Sequence, residues 1–574
     1  MPTQFRSRAR LGGGESRGYN ANMKAKLLIQ LMAAGMACAA EVRTDICVYG
    51  GTSAGIAAAL QAVRMGKTVS LVEPSGHVGG LTTGGLGATD IGNKAAIGGI
   101  AREFYERVFR YYENKEVWKL EDRDAYLKKH RGGRDPVSEV TGRETLWFFE
   151  PSAAASIYRD MLLESGVQVQ VGEPLTAVAR EGRSIASLTT GSGNVWRAAI
   201  FLDCTYEGDL MAKAGVSYHV GREANAVYGE KLNGVRGETP KHQFSLPVDP
   251  WKKPGDPTSG LLRHVQTDPP GEAGSGDHTV QAYNFRLCMT QDPANRRAWE
   301  KPEGYDEADF ELLARYLEAR AAAGKPLTAG QLFHPLPMPN RKTDTNNNGG
   351  FSTDVIGMNY AWPEASHEER AKIFRDHERY TRGFFYFLSS SARVPGKLRE
   401  EVASWGLTKD EWPATGGWPP QLYVREARRM MSSYVMTEDD CRGVRRAEDP
   451  VGIGAYNMDS HNCRRIVRNG RVENEGDVQE AVKPYPVSWR SIIPKASECT
   501  NLAVPVCLSA SHIAYGSIRM EPVFMILAQS AATGACLALE TGVTLAELPY
   551  GTLRERLLAD GQILEFGTMP RRKP

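Results

Sequence analysis

The chain has 574 residues, too many for one ordinary core, so two domains are the natural expectation. Hydrophobic residues make up 41% and charged residues 24%, the balance of a globular protein, which excludes a disordered or fibrous one. Its 70 basic and 68 acidic side chains leave a formal charge of +2, so nothing electrostatic argues for nucleic acid or an anionic membrane as partner.

Residues 1–22 are polar and rich in Gly and Arg, and read as a non-native or disordered extension ahead of a true start at Met23. Met23-Lys24-Ala25-Lys26 is a short basic opening, followed by the apolar run Leu27 to Ala37 and the small residues Ala37, Ala39 and Ala40. This is the pattern of a signal peptide over 23–39, with export to the periplasm or beyond the cell as the expectation. The apolar run falls short of the roughly 20 residues that cross a bilayer, so no transmembrane span is expected. Nine cysteines show no C-x-x-C pair, which argues against a zinc site and a redox dithiol. Cys47 and Cys204 lie in apolar runs and read as packing residues; export would permit a disulfide, but no spacing selects one.

Asp45 to Tyr49 reads as a short strand leading into Gly50-Gly51-Thr52-Ser53-Ala54-Gly55 and then a helix that runs to Arg64 and stops at Gly66. A second strand, Thr68 to Val72, ends in Glu73. Strand, glycine turn, helix, strand and acid, in this order and spacing, make a dinucleotide fingerprint. Gly50 permits the turn, Gly55 lets the helix approach the strand, and the first N–H groups of the helix face the diphosphate. Glu73 suits a ribose diol. Thr52 replaces the second glycine of the pattern, and its side chain either crowds the diphosphate or donates a hydroxyl to it.

Next come Pro74 and a glycine-rich loop holding Gly79, Gly80, Leu81, Thr82 and Gly85, where a simple NAD enzyme passes directly into another helix. Such a loop suits backbone lying close to a large, flat ligand. Pro151 to Glu164 reads as a helix, Gly166 to Val171 as a strand, and 175–198 as an antiparallel crossover. A buried strand then ends at Asp203; with Thr205 it forms a polar turn at the end of the sheet where ligands bind.

Residues 216–445 contain helical stretches, Asp306–Ala323 and Glu368–Ser391, between loops rich in Pro, Gly and Asn. The segment carries polar groups such as Arg286, Lys342 and Asp344, and Arg425 to Arg429 is expected to be helical. Towards the end, Asn501 to Leu508 reads as a last strand, and a polar turn with Ser511, His512, Ser517, Arg519 and Glu521 follows it. Pro522 opens a long helix of small residues that stops near Gly542.

The stretches VYGGTSAGIAAALQAVRMG, LVEPSGHVGGLTTGGLG, DCTYEGDLMAKAGVSYHVGREA, YVREARRMMSSYVMTEDD, YNMDSHNCRR and the C-terminal ASHIAYGSIRMEPVFMILAQSAATGACLAL together resemble the FAD-dependent oxidoreductase family of bacterial flavoproteins, within the glutathione-reductase-like class. The resemblance runs from about residue 44 to the C-terminal helix. It implies bound FAD in an α/β, Rossmann-like domain with a parallel central sheet, discontinuous in sequence. Its first part would be 44–215 and its second 446–545, around an inserted α+β substrate domain over 216–445, with a C-terminal tail over 546–574. The cofactor-binding set expected on these grounds is Gly50, Gly51, Thr52, Ser53, Ala54, Gly55, Glu73, Pro74, Gly79, Gly80, Leu81, Thr82, Gly85, Asp203, Thr205, Ser511, Ser517, Glu521 and Pro522.

For chemistry at the flavin, His512 is the first candidate base and His461, in Tyr456 to His461, the second, since histidine titrates near neutrality. Arg519 or Arg425 would hold a carboxylate or a developing oxyanion. The expected activity is hydride transfer between a small polar, sugar-like substrate and flavin N5, with an electron acceptor that the sequence does not name and no metal. Two rivals are an NAD-dependent dehydrogenase and a non-redox carbohydrate lyase or binding protein that keeps FAD as scaffold.

Overall fold

The computed structural model describes residues 39–130, 138, 141–269 and 271–566. The extension 1–22, the signal-peptide residues before Ala39, and the last eight residues of the expected tail lie outside them.

The chain opens with β1 (Glu41–Tyr49), whose last four residues are all buried, as befits a parallel strand covered on both faces. It passes through Gly50–Thr52 into α1 (Ser53–Arg64), which is capped by Thr52, and returns as β2 (Val69–Glu73). The loop after β2 and a helix over Gly99–Tyr111 lead to α2 (Pro151–Ser165). This helix has Pro at its first turn and left-handed Gly166 at its end, the two punctuation residues that favour such boundaries. Then come β3 (Val169–Val171), β4 (Leu175–Glu181), β5 (Ser184–Thr190) and β6 (Val195–Asp203).

In the middle region a five-stranded antiparallel sheet is built from short segments between Leu287 and Thr408. Its longest helix is α3 (His367–Ser390), capped by Ser366 in reciprocal hydrogen bonds with Glu369. The C-terminal part contributes β7 (Leu502–Ala503), α4 (His512–Ile518) and α5 (Glu521–Thr541).

The main sheet has the order β3-β2-β1-β6-β5-β4. β1 pairs in parallel with β2 and β6, and β2 with β3. The strand β6 is shared: its first half pairs antiparallel with β5, while Phe201 and Leu202 pair in parallel with Leu502 and Ala503 of β7. Residues 301 apart in sequence thus complete one sheet. Helix α5 has the length and hydropathy of a membrane span, yet its residues from Glu521 to Ala538 are all buried inside the protein, packed on α1. A further helix, Tyr550–Ala559, lies in the expected C-terminal tail and buries Leu553 and Leu557. The eight described cysteines are all unpaired and buried.

Two sequence expectations change. Arg425 to Arg429 is not a helix; it is extended, ending in a strand, Arg429–Met430, that pairs with Tyr218–His219. A helix would gather these side chains on one face, whereas each has a different carboxylate to reach: Arg425 meets Asp354, Arg428 meets Asp209 and Arg429 meets Glu223. The polar turn after β7, in contrast, becomes helical because Ser511 accepts the N–H of Ala514 and caps α4.

Candidate active site

At the crossing of β1 and α1 the backbone is packed against itself. Gly50, at φ +105°, donates its N–H to Val72 O at 2.7 Å, and a Cβ here would stand 2.7 Å from the backbone of Cys204. A Cβ on Gly55 would stand 1.8 Å from the carbonyl oxygen of Gly50. Thr52 resolves the alternatives for its hydroxyl: it accepts from Gly55 N at 3.3 Å and donates to Cys204 O at 2.8 Å, so it is turned into the protein. The N–H groups of Thr52, Ser53 and Ala54 have no hydrogen-bond partner among the described residues, leaving the positive end of α1 open to an anion.

Glu73 closes the same corner, accepting from Gly51 N at 2.6 Å and Ser75 N at 2.7 Å. Burial pushes its carboxyl up, and the hydrogen bonds from Ser75 and Gly51 only partly offset this. A cavity of about 380 Å³ opens between Gly50, Thr52, Glu73 and Pro74 on one side and Trp362 and α3 on the other. Small-molecule clefts start near ~300 Å³. Free helix N–H groups, a backbone cradle without Cβ atoms and a terminal acid fit the adenosine diphosphate half of a dinucleotide.

Beyond this cavity, Glu521 at the first turn of α5 ties three segments together. Ser53 Oγ and Thr82 Oγ1 donate to its Oε2 and Tyr206 OH donates to Oε1, while Leu81 N donates to Tyr206 OH at 2.9 Å. Burial raises the Glu521 carboxyl; the donors Ser53, Tyr206 and Thr82 pull the other way. Pro522, which has no N–H, follows at the helix start where none is needed. A narrow second cavity, about 10 Å³, is bounded by Leu81, Asp90, Tyr206, Tyr423, Arg519 and Glu521. It holds little more than one water, so the fit to a flavin nucleotide rests on the adenosine end.

The remaining expected cofactor residues are placed as follows. Asp203 accepts from Thr205 N, Thr205 Oγ1 and Met211 N, and burial pushes its carboxyl up to about 6 against those bonds. Thr205 lines the larger cavity. Ser511 donates to Glu230 at 2.6 Å, and Ser517 to the carbonyl of Tyr456; both hydroxyls are buried and spent on protein. Gly79 and Gly80 bracket the start of a short helix, Gly80–Thr83, and Gly80 lines the larger cavity. The loop glycines that follow answer to the protein itself: a Cβ on Gly85 would strike Arg286 O at 2.1 Å, and one on Gly87 the Met338 sulfur at 1.9 Å. The loop runs tight against strands of the middle region.

All four candidate catalytic side chains are buried in one polar network. His512 has both ring nitrogens engaged, Nδ1 with Glu426 Oε2 at 2.8 Å and Nε2 with Ser460 Oγ at 3.0 Å. Burial raises the Glu426 carboxyl, but the charges of His512 and Arg429 outweigh it and hold it low. His461 lies between Asp354 (2.7 Å) and Asp459 (3.6 Å). Burial and the Arg425 charge lower its pKa, yet the two carboxylates prevail and raise it, which favours the imidazolium. Asp459 falls to about 2: burial opposes this, but His461, Arg519 and Arg425 outweigh it. Arg519 donates to Tyr423 OH at 2.8 Å and to Asp459 Oδ2 at 3.1 Å; Arg425 donates to Asp354 Oδ1 at 2.9 Å and stacks over Tyr423. Of the four, Arg519 alone borders the narrow cavity.

Sequence reasoning missed Asp90, Tyr423, Asp354 and Glu426. Asp90 faces the narrow cavity and is loosely held, with Tyr456 OH at 3.4 Å and Arg286 Nη1 at 3.5 Å. Arg286 itself is clamped by Asp344 through two bonds of 2.7 Å. Asp90 closes the glycine-rich loop, a position that could have marked it; nothing local marks Asp354.

A family model described as FAD dependent oxidoreductase matches residues 45–557. No curated protein matches the sequence. Among solved structures, the chain is similar to an anhydrotetracycline hydroxylase from Streptomyces rimosus (17% identity, TM-score 0.24, covering 39% of this chain and 41% of that one). An L-amino acid deaminase from Proteus vulgaris gives 14% identity and TM-score 0.24, over 33% and 54% of the two chains. A geranylgeranyl bacteriochlorophyll reductase-like protein from Thermoplasma acidophilum is covered more fully, 91% and 85%, at 10% identity and TM-score 0.35. The chain thus spans about half the length of the first two, and such distant likenesses carry no argument about substrate. The family match, covering most of the chain and both halves of the nucleotide corner, decides the matter: this α/β, Rossmann-like protein belongs to the FAD dependent oxidoreductase family and is an enzyme with FAD as its cofactor.

Proposed function

We propose that the enzyme oxidises or reduces a small, neutral, polyhydroxylated substrate, with bound FAD taking or giving the hydride at N5. The observation that carries this reading is the balance of charge in the buried network that runs from Asp90, Tyr423 and Arg519, at the wall of the narrow cavity, to the side chains behind them. Each guanidinium there already has its carboxylate: Arg519 has Asp459, Arg286 has Asp344 and Arg425 has Asp354. An anionic substrate would need a cation with charge to spare, whereas a neutral polyol needs alternating donors and acceptors. Tyr423 OH accepts from Arg519, which frees its own proton for a substrate oxygen. Asp90 has weak partners on both oxygens and can accept a substrate hydroxyl.

In this reading Asp90 takes the hydroxyl proton as the C–H bond breaks, and Tyr423 orients the neighbouring oxygen. The engagement of both His512 nitrogens supports a positioning part for that residue, holding Glu426 and Ser460 in place. His461, whose pKa two aspartates raise, suits the same kind of work on Asp459 and, through it, on Arg519.

The test is anaerobic bleaching of the flavin absorbance by a panel of neutral sugars and polyols set beside organic acids. Bleaching by members of the first group is expected, slowed about 100-fold or more in Asp90→Asn. Bleaching by carboxylic acids alone would overturn the reading.

A further inference from the structure

We propose that α3, the longest helix of the middle region, forms the outer wall of the dinucleotide cavity and that Arg375 on it ligates the cofactor's diphosphate. The proposal rests on the family's cofactor and is independent of the substrate.

His367, Arg370, Ala371, Phe374 and Arg375 all line the cavity that holds Gly50, Thr52 and Glu73 on its other side. Their spacing of three, one, three and one residues places them on a single stripe of the helix. A stripe facing solvent would be expected to be polar throughout, yet this one carries Phe374 and Ala371 between its charges and looks onto the nucleotide corner. The helix belongs to a region far from α1 in sequence, so the cavity exists only where the two regions meet.

Charge singles out Arg375. The cavity wall carries Glu73 and Glu207, both unfavourable to a diphosphate, and Asp209, whose charge Arg370 and Arg428 cancel. Arg370 does not offset them for a ligand. It is spent on Asp209 through bonds of 2.6 and 2.9 Å, and on the carbonyl oxygens of Trp362 and Pro363 through two further donors. Arg375 is exposed and makes no ion pair or hydrogen bond among the described residues. The helix end of α1 supplies only about half a positive charge, against roughly two negative charges on a diphosphate. A guanidinium, planar and able to donate in pairs, matches the geometry of phosphate oxygens.

The experiment measures release of flavin from the purified holoprotein by the rise in flavin fluorescence, at about 50 mM and about 300 mM KCl. Wild type, Arg375→Gln, Arg375→Lys and Arg379→Gln are compared. Arg379 sits on the same helix, pairs with Asp376 and does not line the cavity, so it reports on general loss of surface charge. The expected result is release about tenfold faster from Arg375→Gln at low salt, with a flatter salt dependence, an intermediate Arg375→Lys, and an Arg379→Gln that matches wild type. Equal release from Arg375→Gln and wild type at both salt concentrations would overturn the ligand role. Ala371→Trp tests the wall separately. It should purify with little flavin at the urea midpoint of flavin-stripped wild type, and full flavin occupancy would refute the wall.

Discussion

Gly55→Ala adds one methyl at the tightest point of the nucleotide corner. Its Cβ would lie 1.8 Å from the carbonyl oxygen of Gly50, so the gap must open by at least 1.2 Å to reach 3.0 Å, a spacing below which real contacts essentially never occur. The oxygen cannot yield easily, because Gly50 is bonded to Val72 and its own Cα abuts Cys204. Nor can α1 retreat, since every residue from Ser53 to Ala62 is buried and the helix packs on α5. Overpacking in such a place costs about 3 kcal/mol, the upper end for an added methyl, and the displaced turn should also lose its grip on the cofactor. Urea unfolding at constant m-value and the flavin-to-protein ratio are the assays. Gly66→Ala is the control. Gly66 ends the same helix at φ +78° with nothing within 4 Å, so its cost is backbone strain of about 1 kcal/mol, with flavin retained. If Gly55→Ala were as stable and as yellow as wild type, or less harmful than Gly66→Ala, the steric reasoning would fail.

Lys342 is buried between Glu150, Glu411 and the more exposed Asp410, at 2.7 to 2.8 Å. Lys342→Met should cost about 3–5 kcal/mol by stranding buried carboxylates, and adding Glu411→Gln should restore part of it; urea midpoints that do not recover in the double variant refute the account. Burial pushes the Asp477 carboxyl up to about 7, despite the opposing charge of His461. A folded pKa above the unfolded 3.8 favours the folded state fully below about pH 4, and this advantage is lost as pH rises towards 7. Asp477→Asn should therefore gain stability over wild type, by about 2 kcal/mol more at pH 8 than at pH 5; an equal gain at both pH values would dismiss the argument.

What could be read from the chain alone was whatever neighbours in sequence decide. The strand, glycine turn, helix and Glu73 lie within about thirty residues, and each boundary is set by a cap, a Pro or a Gly acting on its own turn. The resemblance supplied the cofactor, since its motifs are themselves such local units. Tertiary structure decided the rest, because the relevant partners are hundreds of residues away. Arg425 to Arg429 is extended since separate buried carboxylates on other segments draw its side chains apart, a demand that no helical propensity registers. The loop after Glu73 needs Gly85 and Gly87 because Arg286 and Met338 press on it, and the same contact brings Asp90 to the cavity beside Arg519. Charge balance beside that cavity, and with it the case for a neutral substrate, exists only once distant stretches of chain, from Asp90 to Arg519, have folded into one network.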